Sequence, residues 1–165
     1  MEHNTLFKLI YTFILGVILA LFLGVGVAAF YEPPQAPEYP MMTSVYKEGQ
    51  SQSEAELKKQ EKFDKDSKAY EEVRQVYERN VSVVLLVLAI FTIAIGLIFA
   101  RQIGFLSDGI LLGGLFTLVH ALIRGFAADD SKYLFAAASV AVIVVLYLGY
   151  RRFGSTLDVP KKSKK

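Results

Sequence analysis

Between Arg79 and Arg101 the chain runs Asn80-Val-Ser-Val-Val-Leu-Leu-Val-Leu-Ala-Ile-Phe-Thr-Ile-Ala-Ile-Gly-Leu-Ile-Phe-Ala100 without one charged side chain. A helix needs about 20 predominantly apolar residues to cross a hydrocarbon layer roughly 30 Å thick. Val81–Ala100 has that length, and so do Leu6–Tyr31, residues 107–128 and Tyr133–Tyr150. The charges gather in residues 47–79 and after Tyr150, and 53% of the 165 residues are hydrophobic. Such segregation is foreign to an ordinary soluble domain. The expected fold is an all-α membrane protein: a single membrane domain over residues 1–165 built as a four-transmembrane-helix bundle.

The first span ends in Val27-Ala28-Ala29, a tripeptide that suits signal-peptide cleavage. Its apolar core exceeds the roughly 7–15 residues of a cleaved signal, so a retained helix is expected. Lysine and arginine near span ends set orientation. Lys8 lies near the start of the first span and no lysine or arginine follows that span until Lys47; Arg151, Arg152, Lys161, Lys162, Lys164 and Lys165 follow the last. Both ends therefore point to cytoplasmic termini, although Arg74 and Arg79 before the second span argue the other way. The expected location is the cytoplasmic membrane of a prokaryote, with residues 32–80 outside and a basic tail, 151–165, inside.

That outside excursion has two parts. Residues 32–50 open with Glu32-Pro-Pro-Gln-Ala-Pro-Glu-Tyr-Pro40, where Pro34, Pro37 and Pro40 recur at the spacing of polyproline II. A stiff strap leading away from the bilayer explains it, and a ligand for an aromatic groove is the alternative. Residues 51–80 read as a charged helix, with Ser51 or Ser53 as cap and Glu54–Lys58, Glu61–Lys65 and Asp64–Lys68 as acid-before-base pairs four apart. Phe63, Tyr70, Tyr77 and Val84 recur every seven, but Asp66 and Asn80 break the seam. No glycine or proline interrupts residues 51–95, so this helix can continue into the second span.

Lipid supplies no hydrophobic drive between spans, so small residues four apart mark close approach. Gly16, Ala20, Gly24 and Ala28 form one such row; Gly109, Gly113, Thr117, Ala121 and Gly125 form another. The first and third spans are expected to meet along them, within the chain or in an oligomer.

The candidate polar cluster is His120, Arg124, Asp129 and Asp130. An ionisable group inside a span raises a functional hypothesis by default. With Asp108 at one surface, Arg124 lies about 6 Å below the other and His120 about 12 Å below it. Arg124 is then within snorkelling reach, with Asp129 and Asp130 as its nearest acids in sequence. A structural polar clamp is the reading adopted for the cluster. Ser107 and Asp108 are the expected cap of the third span.

The chain has no cysteine and two histidines. Thiolate metal sites and thiol nucleophiles are thus excluded, and neither a metal nor a cofactor is expected. A net charge of +2, with its excess in the tail, gives no reason to expect nucleic acid. No catalytic motif is present. The expected role is a non-enzymatic structural or accessory protein whose partners are the bilayer and another protein or a second copy. The alternative is a small oligomeric channel or transporter with Thr117, His120 and Arg124 lining a polar vestibule.

Overall fold

A computed structural model describes residues 2–38 and 54–153. Among them are four helices: α1 (Glu2–Phe30), α2 (Glu54–Ile103), α3 (Phe105–Ala127) and α4 (Ser131–Phe153). All four are long and apolar enough to cross a membrane. Pro40, the Ser51 and Ser53 caps, and the tail lysines lie outside the described residues.

The charged helix and the second span are one element. With no helix breaker before Gly96, α2 runs for 50 residues, about 75 Å at 1.5 Å per residue. It ends at Gly104, whose φ of 51° and ψ of −117° belong to a region open to glycine and closed to residues with a Cβ. A Cβ at that position would meet nothing within 4 Å, so backbone conformation alone demands the glycine.

The bend lets α3 start at Phe105, earlier than its sequence suggests. Ser107 and Asp108 therefore stand inside the first turn and do not cap the helix; Gly104 is the cap residue and makes no side-chain cap bond. A cap must have non-helical geometry, and both residues are already helical. Ser107 Oγ instead donates to Gly96 O of α2 at 2.5 Å, and Asp108 pairs with Arg152 of α4 at 2.5 Å.

The third helix is the centre of the bundle. Leu111, Gly114, Leu118 and Ala121 are buried on it, while α2 buries Tyr77, Val81, Ser82, Leu85, Ala89 and Ile93, a stripe at helical spacing. Leu85 and Ala121 join Tyr77 and Val81 in one apolar cluster; Ala89, Leu118 and Ala141 of α4 form the next. Backbones approach closely at three places, one of them where a Cβ on Gly96 would stand 3.2 Å from Leu111 N. A Cβ on Gly114 would stand 3.2 Å from Ala89 O, and one on Gly113 would stand 3.2 Å from Gly16 O of α1. Gly109 packs under Leu15, whereas Gly125 faces Ser82 and Tyr133.

The chain order makes successive helices antiparallel. One end of the bundle, the base, holds the Gly104 bend, the Asp108–Arg152 pair and Tyr11 edge-on to Phe105 at 5.7 Å. The other, the stalk end, holds Tyr31, the α3–α4 turn and the point from which α2 projects. Here Tyr77 stacks on Tyr31, with centroids 5.1 Å apart, and donates to its carbonyl at 3.1 Å. Asn80 Nδ2 donates to the Tyr31 hydroxyl. Pro34, on the described part of the strap, lines a groove with Val73, Val76 and Tyr77, so the strap leaves α1 beside α2.

Candidate functional site

Polar side chains converge at the stalk end. Glu78 lies one turn outward from Ser82 on the α2 face that meets α3, and Arg124 sits opposite it in the last turn of α3. Arg124 Nη1 donates to both Glu78 oxygens at 2.9 Å. The Glu78 side chain is 11% exposed and that of Arg124 33%, so the carboxylate sits in protein and the guanidinium reaches the boundary.

This changes the cluster expected from sequence. Asp129 and Asp130 do not pair with Arg124. Asp129 has φ of 50°, the left-handed conformation that ends many helices and that aspartate tolerates. The turn it makes carries Asp130 to the start of α4, where Oδ1 accepts from the backbone N–H of Lys132 and Tyr133 at 3.1 Å each. Those are the bonds of an N-cap. Asp130 also pairs with Arg79 of α2 at 3.6 Å. Its carboxyl is held below its ordinary pKa first by the Tyr133 N–H, then by the Lys132 N–H and the Arg79 charge, against an opposing effect of burial.

His120 stands one turn below Arg124, with its Cε1 and Nδ1 2.9 and 3.1 Å from where a Cβ on Gly24 would be. The ring is thus lodged against the α1 backbone. His120 and Arg124 share a groove of about 600 Å³ with Ala20, Gly24 and Ala28 of α1 and with Phe13 and Phe116. Thr117 is not among its lining residues. It is fully buried and its hydroxyl bonds back to Gly113 O at 2.8 Å.

Two participants escape sequence reasoning. Glu78 falls in a charged run and looks solvated; only its place four residues before Ser82 hints at the buried face. Ser82 is the one hydroxyl early in the second span. It is fully buried, donates to Ala121 O at 2.6 Å and accepts from the Tyr133 hydroxyl at 2.7 Å, joining α2, α3 and α4.

The arrangement supplies ion pairs and hydrogen bonds between helices, and an apolar groove with a cationic rim. Among the described residues, no group of three His, Asp or Glu side chains converges to hold a metal ion. Compared with protein-family models, with curated proteins and with solved structures, the chain matches none.

Proposed function

We propose that this is a multi-pass protein of the prokaryotic cytoplasmic membrane, with both termini cytoplasmic, that carries out no chemistry and serves as an assembly or accessory partner of another protein. The observation that supports this most is the outer part of α2. From Leu57 to Ala69 every residue is exposed except half-buried Phe63 and Ser67. Its Glu54–Lys58 pair spans 3.0 Å in open solvent, a contact of a few tenths of a kcal/mol. An isolated helix so short is marginal in water. Continuity with the apolar half of α2 holds it in place and presents it beyond the bilayer, about 40 Å from Asn80 to Glu54. Such a rod has a task only when something docks on it.

In this reading the spans stay together by close approach in lipid, with the backbones of α1 and α3 meeting at Gly16 and Gly113. The Asp108–Arg152 and Glu78–Arg124 pairs then pin the two ends of the bundle.

Crosslinking in intact cells followed by mild-detergent capture and mass spectrometry tests the role. Full-length protein is expected to bring down a specific membrane or periplasmic protein. A variant lacking residues 54–69 is expected to insert normally and lose it. Capture of the same protein by both forms, or of none by the full chain, would remove the reading.

A further inference from the structure

The groove between α1 and α3 contains polar groups that its own walls do not satisfy. Phe13, Val17 and Ala20 make it apolar, and His120 and Arg124 stand at its stalk end, one turn apart. No described residue hydrogen-bonds to the His120 ring, and its nitrogens are not sealed from their surroundings. Glu78 engages only Nη1 of Arg124, which leaves the rest of the guanidinium without an acceptor among the described residues. Given the bilayer placement proposed above, on which this inference rests, open water is about two turns of helix away from His120. Unsatisfied donors at that depth are expensive.

We propose that this groove binds one glycerophospholipid per chain. The phosphate meets the free edge of Arg124, an ester carbonyl accepts from His120, and an acyl chain descends past Ala20 and Val17 to Phe13. Three observations select this occupant. No carboxylate is among the described residues lining the groove; Glu78 pairs with one nitrogen of Arg124 from outside it, and the remaining N–H groups of the guanidinium form a fork that suits phosphate oxygens. The two polar groups sit one above the other about 6 Å apart along the helix, as a phosphate and the ester below it do in a lipid. From Ala28 to Phe13 the groove extends about 22 Å, more than the roughly 15 Å of one leaflet's hydrocarbon. Gly24 is what admits the histidine ring: a Cβ there would occupy its place.

The test is native mass spectrometry and thermal melting of delipidated full-length protein in mild detergent. The probes are dimyristoyl phosphatidylglycerol, dimyristoyl phosphatidylethanolamine and dimyristoylglycerol, the last lacking phosphate. Both phospholipids are expected to add one molecule per chain and raise the melting temperature, as a ligand selective for the folded state does. Dimyristoylglycerol should do neither. His120→Leu should weaken phospholipid binding about fivefold, the share of one hydrogen bond, and Ala20→Phe should fill the groove and abolish the saturable step. Equal binding of all three probes, binding of phosphatidylglycerol alone, or unchanged binding in both variants would overturn the proposal. A chain that stays in solution without detergent would instead defeat the bilayer placement, before any lipid is added.

Discussion

Arg124 and Glu78 form the contact that closes the stalk end: one guanidinium nitrogen, 2.9 Å from each oxygen of a carboxylate 46 residues earlier in the chain. A largely buried ion pair is weak evidence of net stability, because desolvation opposes attraction. Removing one partner is a different matter, because it strands the other charge. Glu78→Gln is expected to lower stability by about 1–3 kcal/mol, toward the low end because Arg124 is partly exposed. The double variant Glu78→Gln/Arg124→Gln should recover most of that loss. Unfolding in mixed micelles, read as a double-mutant cycle, measures the coupling; strict additivity would show that the pair is decorative.

Ser82 carries the three-helix junction on one hydroxyl. Ser82→Ala removes the donor to Ala121 O and leaves the Tyr133 hydroxyl without an acceptor, an expected loss of about 1–2 kcal/mol. Tyr133→Phe keeps the Ser82–Ala121 bond and should lose about 0.5–1 kcal/mol, in the range of interhelical hydrogen bonds in membranes. The same unfolding assay ranks the two; a larger loss in Tyr133→Phe would contradict the geometry.

Two glycines should respond oppositely to the same substitution. A Cβ on Gly113 would come within 2.9 Å of Leu19 Cδ2 and 3.2 Å of Gly16 O. The side chain can move, but the backbone oxygen yields only if α1 shifts. Gly113→Ala is expected to destabilise by about 1–3 kcal/mol through overpacking. Gly149 has nothing within 4 Å of its absent Cβ, and Gly149→Ala should stabilise α4 by about 0.5–1 kcal/mol. Equal responses would mean that α1 does not rest on α3 at this point.

Asp130 makes the start of α4 sensitive to acid. Its pKa in the folded chain is depressed, chiefly by the Tyr133 N–H bond. The contribution is therefore complete above the unfolded value of about 4 and is lost as pH falls through the lower folded value. Amide exchange at Tyr133 and Leu134 should accelerate, relative to the protein average, as pH falls from about 5 to about 2. Asp130→Asn, which caps without titrating, should remove that dependence.

The apolar rods were legible in the sequence because the rule behind them is local. A bilayer sets a length, and Val81–Ala100 or Tyr133–Tyr150 can be measured against it with no knowledge of neighbours. The continuity of α2 was legible for the same reason, since a helix without a breaker has nothing to stop it. The cap of α3 is not legible in the same way: Ser107 and Asp108 are the polar candidates, but the helix starts from Gly104, whose positive φ can be seen only once α2 and α3 are folded against each other.

Partnerships between rods were a different kind of information. Chain adjacency offers Arg124 the carboxylates of Asp129 and Asp130, yet a left-handed residue turns Asp130 onto the N-terminus of α4. The register of α2 against α3 brings Glu78 to Arg124 instead. Sequence alone determined how many apolar helices the chain has, their lengths and which residues could sit at their ends, because those follow from short-range geometry and the price of charge in hydrocarbon. Only the tertiary structure decided which charges meet, which glycines touch backbone and where the groove beside His120 opens, because each depends on the rotation and offset of one helix against another.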